Sequence, residues 1–139
     1  MGKMGKIDLH AIKNYQKKFK KLKHPDAFLE ASAKELAGRL LRIVIERTPI
    51  GEDHSDHTKG ELRSGWTIGK IKKEGNIYQI EVINPTPYAV YVEYGHRTAN
   101  HKGWVQGKFM LTISEEELKT ISPRILEKKL KKYLEAQRI

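Results

Sequence analysis

The stretch Ile77–Arg97, "IYQIEVINPTPYAVYVEYGHR", decides the fold class. Its first part alternates Tyr78, Ile80 and Val82 against Gln79 and Glu81, the period of two that marks a half-buried strand. "NPTP" breaks the pattern. The second part then alternates Tyr88, Val90, Val92 and Tyr94 against Ala89, Tyr91 and Glu93, which predicts another strand. Upstream, "SGWTIGKI" predicts a weaker strand from about Leu62 to Lys72, and "KKEGNI" supplies a turn at Gly75 and Asn76. Downstream, "WVQGKFMLTI" reads as a fourth strand or as the lead into a helix. These segments describe an antiparallel meander with one face covered.

The cover comes from "PDAFLEASAKELAGRLLRIVIERTP", Pro25 to Pro49. Leu29, Ala33, Leu36, Ala37, Leu40, Ile43 and Val44 form one continuous helical face, with Pro25 and Asp26 suited to a first turn and Pro49 to an end. Gly38 costs such a helix about 1 kcal/mol of propensity, which predicts close packing against it. Before this helix, Ile12, Tyr15, Phe19 and Leu22 form an apolar stripe among lysines, with Asp8 placed to cap it. Near the end of the chain, Ser114-Glu115-Glu116-Glu117 has the spacing of a capping box, and Ser122-Pro123 reads as a restart. Leu126, Leu130, Tyr133 and Leu134 then share one face. The expected fold is α+β, with N-terminal helices and a C-terminal helix packed on an antiparallel sheet of three to four strands. Residues 1–24 form a basic amphipathic helix or arm, and residues 25–139 a single domain.

The chain has 139 residues and no cysteine, which excludes disulfides, zinc–thiolate sites and thiol catalysis. No apolar run reaches the roughly 18 residues needed to cross a bilayer. The N-terminus lacks the apolar segment of a secretory signal, and Lys6 stands where a myristoylation motif requires Ser or Thr. Of the net charge of +10, residues 1–24 carry +7, residues 124–139 carry +4 and the body between them −1. Two basic ends on a nearly neutral body point to a polyanionic neighbour, with solvated termini as the alternative.

No enzyme signature emerges. His54 and His57, flanked by Asp53 and Asp56, lie in a turn-rich loop rather than on a helical face, and no metal site is assigned to them. Serine lacks a nucleophile elbow, and the scattered glycines form neither a Walker loop nor a dinucleotide fingerprint. Glu93 falls inside an expected strand, where an exposed residue paired with a neighbouring cation is expected. Trp66, Tyr78, Tyr88, Tyr91 and Tyr94 could form a stacking platform, but Tyr78, Tyr88 and Tyr94 fall on the apolar register. No cofactor is called for.

"PIGEDHSDHTKGELRSGW", "NPTPYAVYVEYGHRTA" and "GWVQGKFML", in that order, resemble the head–tail connector proteins of long-tailed bacteriophages and prophages, the gene-product-ten-like neck or tail-completion family. The similarity runs over roughly residues 26–137 and is most specific from Tyr88 to Arg97. The family pattern is interrupted by Lys59 and lengthened by the 52–57 insert. The resemblance implies a non-enzymatic virion protein that forms a ring of six or twelve subunits. That ring would meet head-closure and tail-terminator or tail-tube proteins, with double-stranded DNA passing through it loosely and no membrane involved. Such a protein is made in the bacterial cytoplasm and resides at the head–tail junction. On this reading Tyr91, Glu93, Tyr94, Gly95, His96 and Arg97 form a subunit or partner interface, with Gly95 turning the chain and Arg97 reaching an acid such as a neighbour's Glu93. Lys17, Lys18, Lys20, Lys21 and Lys23 would face DNA. The rival is a small basic nucleic-acid-binding protein or ribonuclease toxin, with Arg63, Tyr94, His96 and Arg97 as its catalytic candidates.

Overall fold

The period-3.6 pattern of residues 25–49 is realised as a 23-residue helix, α1 (Pro25–Arg47), in the computed structural model, which describes residues 3–8, 25–51, 58–75 and 77–137. In chain order the described elements are β1 (Lys3–Asp8), α1, a single turn α2 (Glu61–Ser64), β2 (Thr67–Glu74) and β3 (Ile77–Ile83). A short helix α3 (Ala89–Tyr94), β4 (Gly95–Arg97), β5 (Trp104–Gln106) and the long helix α4 (Met110–Ala136) follow. The chain is α+β. Asp8, expected to cap an N-terminal helix, ends β1 opposite Gln79, and residues 9–24 of that expected helix, with Lys17, Lys18, Lys20, Lys21 and Lys23, lie outside the described residues.

β3 lies between β1 and β2, antiparallel to both. It buries Tyr78, Ile80 and Val82, the residues its alternation selects. The expected meander does not form beyond this hairpin. Residues 61–64, placed at the start of the first strand by sequence, make the α2 turn, and β2 begins only at Thr67.

Tyr88–Tyr94 is not a strand but the N-cap and body of α3. A short run of alternating apolar residues fits either period. Here the helix buries Ala89 and Glu93, four apart on one face, and leaves Tyr91 and Tyr94 outward. β4 and β5 then pair antiparallel as a separate two-stranded ribbon.

α4 runs unbroken through both expected helix starts. Ser114 is not its cap. It is buried, and its hydroxyl donates to the Met110 carbonyl one turn back. Pro123 lacks the N–H that would bond the Lys119 carbonyl, and the Ser122 hydroxyl donates to that oxygen instead at 3.3 Å.

α1 and α4 pack antiparallel. Near one end Phe28 meets Leu130 and stacks at a tilt on Tyr133, ring centroids 5.3 Å apart. Midway, Lys129 reaches Glu35 at 3.2 Å, and at the far end Arg47 bonds Glu117 at 2.6 Å. Ala33, Leu36, Ala37, Leu40 and Val44 of α1 face Ile80 and Val82 of the sheet and Met110, Leu111, Leu118 and Leu126 of α4 in one core. Each fully buried leucine stabilises the fold by about 1.5–3 kcal/mol. The close approach expected at Gly38 is absent: a Cβ there would meet no atom within 4 Å.

At the C-terminal end of α1 a small polar cluster takes up the Val44 and Ile45 carbonyls. Trp66 Nε1 donates to Thr48 Oγ1 at 2.7 Å, and Thr48 donates in turn to the Val44 carbonyl. Arg63 Nε donates to the Ile45 carbonyl at 2.9 Å, satisfying one of the helix's terminal acceptors.

Candidate assembly surface

Glu93 is fully buried, and its carboxylate ends at the start of α4. Oε1 accepts the Leu111 N–H at 2.8 Å, while Oε2 accepts the Thr112 N–H at 2.9 Å and the Thr112 hydroxyl at 2.7 Å. The first N–H groups of a helix have no partner within it, and its N-terminus carries partial positive charge. Glu93 thus caps α4 from 18 residues away in sequence. The backbone joins in: Lys108 N–H donates to the Val92 carbonyl and Phe109 N–H to the Glu93 carbonyl. Phe109, in the cap position, adopts φ 48° and ψ 40°, a left-handed conformation costing about 1–2 kcal/mol that this clamp offsets. The expectation of Glu93 as an exposed strand residue, open to a neighbour's arginine, is therefore corrected: its oxygens serve its own chain.

The ribbon leaves α3 at Gly95, whose φ of +88° is open to glycine. A Cβ on Gly95 would lie 2.5 Å from the Val105 carbonyl oxygen and 2.9 Å from the Gly107 nitrogen. A Cβ on Gly107 would lie 2.5 Å from the Glu93 carbonyl oxygen. The two chain segments cross here at glycine–glycine contact, so the direction of the ribbon is set by backbone sterics. Gly95 is buried, and acts by placing its neighbours.

Beyond the crossing, Gly95, His96 and Arg97 pair with Gln106, Val105 and Trp104. The tip is tied down: Thr98 and Gly103 exchange backbone and hydroxyl hydrogen bonds, and Asn100 Oδ1 accepts from Thr98 Oγ1 at 2.6 Å and Lys102 N–H at 3.0 Å. His101 takes φ 58° within this loop.

Directly opposed residues share a face, so His96 and Val105 lie on one side of the ribbon and Arg97 and Trp104 on the other. Trp104 is 59% exposed, Tyr91 55%, Tyr94 50% and Val105 43%. Tyr91 meets His96 edge-on at 6.1 Å, and Tyr94 meets Phe109 edge-on at 6.4 Å. A two-stranded ribbon is marginal in water alone. This one is anchored at its base yet bears large exposed apolar side chains on both faces.

Of the six interface residues expected from sequence, Tyr91, Tyr94, His96 and Arg97 come together around the ribbon, while Glu93 and Gly95 build its base. Trp104 and Val105 belong with them and were not singled out; a tryptophan following a polar loop was the available signal. Among the described residues Arg97 makes no ion pair. Among the described residues, no hydrogen bond or ion pair joins Arg63 to His96 or Arg97, and Arg63 Nε is taken up by the Ile45 carbonyl. His54 and His57 lie outside the described residues, and no group of metal-ligating side chains forms among those described. No described helix is long and apolar enough to cross a membrane.

The family model "Bacteriophage HK97-gp10, putative tail-component" matches residues 11–95, more than half of the chain. No curated protein and no solved structure matches.

Proposed function

The chain belongs to the HK97-gp10-like family of bacteriophage tail components, and from that premise we propose that it joins head to tail as one subunit of a ring around the DNA channel. As a family member it is a structural phage protein. The finer reading rests chiefly on one observation, the rigidly based ribbon whose Trp104 and Val105 stand exposed on opposite faces. A second copy is the occupant that fits. A protruding ribbon docked on a different part of the next subunit makes a heterologous contact, and such contacts generate rings when the rotation closes. Arg97 borders Trp104 on the same face and supplies an ionic anchor at the rim of the contact. Head-closure and tail-terminator or tail-tube proteins would stack on the two sides of the ring, within the virion. Lys17, Lys18, Lys20, Lys21 and Lys23 would face the DNA.

Sedimentation of Trp104→Ser and Tyr94→Ser beside the unaltered chain tests this reading, with circular dichroism to verify folding. The variants should stay folded and lose assembly by at least tenfold in concentration. Unchanged assembly in both would overturn the ribbon's role.

A further inference from the structure

A groove of about 400 Å³ runs between α1 and α4, on the outside of their packed seam. Its walls are cationic. Arg39 comes from α1, and Arg124, Lys128, Lys129 and Lys132 come from α4, against one acid, Glu35. That acid is already shared, since Lys129 reaches it at 3.2 Å and Arg39 at 3.8 Å. Arg124, Lys128 and Lys132 make no ion pair among the described residues. We propose that this groove is a binding site for the phosphodiester backbone of double-stranded DNA.

The geometry favours a phosphate backbone over an acidic peptide. Arg124, Lys128 and Lys132 succeed one another at intervals of four along α4. At 1.5 Å of rise per residue, three cations stand in a row over about 12 Å. A duplex presents about seven charges over that length of its axis. A docked peptide would need apolar pockets to fix its side chains, and Ile125 is the one apolar residue in the lining. A groove lined by five cations and a single apolar residue recognises charge without sequence. This deepens the reading of an assembly that encloses DNA, but each chain carries the whole groove, so its test does not depend on ring closure.

The test is fluorescence anisotropy of a short mixed-sequence duplex titrated with the full-length chain at salt concentrations from about 50 to 200 mM. The triple variant Arg124→Gln, Lys128→Gln, Lys132→Gln is compared with a control that loses the same charge at Lys34, Lys102 and Lys119. Native mass spectrometry of each sample reports the oligomeric state separately. The groove variant should bind more weakly, with a salt slope shallower by about 2–3, the loss of three phosphate contacts. The control should keep most of the slope. Equal losses in variant and control would overturn the site. So would polyglutamate that binds the unaltered chain as tightly as the duplex and loses as much affinity in the groove variant, which would make the groove an acidic-protein surface.

Discussion

Glu93 is the residue on which the candidate surface turns. It is buried with no ion pair among the described residues, and three donors from the start of α4 engage its two carboxyl oxygens. Glu93→Gln replaces an acceptor oxygen with an NH₂ that faces donors, so the variant should lose about 1.5–3 kcal/mol of stability; urea unfolding checks this, and an unchanged midpoint would refute the cap. One turn further along α4, burial holds the Glu115 carboxyl above its ordinary value; Lys119 opposes this, and the charges of Glu93 and Glu116 add to it. A carboxyl whose pKa is raised on folding favours the protonated native state. Its penalty is absent below the ordinary value of 4.5, grows as pH rises through the raised value and is complete above it. Glu115→Gln should therefore melt higher than the unaltered chain at neutral pH, with the gap closing near about pH 4. A gap independent of pH would contradict this. At the other end of the fold, Lys73 holds Asp26 below its ordinary value through a 3.0 Å contact, but both groups are too exposed for the pair to matter much.

At the scale of elements, α1 and β3 were legible because each repeats one period for long enough to exclude the other. Tyr88–Tyr94 was not. Over seven residues, alternation and helical spacing select overlapping sets, and the helix is chosen by a distant requirement, the need of α4 for a buried carboxylate at its start. No local pattern encodes that. The capping-box spacing at Ser114–Glu117 misleads for the converse reason: the motif is short, while the true N-cap, Phe109, lies five residues earlier, beside Glu93 and the crossing at Gly95 and Gly107. The sequence predicts close packing at Gly38, which is open instead. Gly38→Ala should then raise stability by up to about 1 kcal/mol through helix propensity alone. Calorimetry showing destabilisation would mean that something outside the chain packs there.

At the scale of the molecule, sequence revealed two basic ends but not where they face. The cationic groove joins Arg39 to Arg124, Lys128 and Lys132, residues brought together only by the antiparallel packing of α1 on α4. The exposure of Trp104 was equally hidden, because whether a tryptophan is core or surface depends on the ribbon's direction away from the body. Core, clamp and ribbon base are complete within one chain, whereas the ribbon's faces are what the proposed ring would cover. On the proposed function, a second copy covers them in a closed ring. Native mass spectrometry across a concentration series, with negative-stain images of the same samples, tests it most directly. One closed stoichiometry with a central hole is expected, lost in Trp104→Ser. A chain that stays monomeric across the whole series, or that assembles identically with Trp104 replaced, would contradict it.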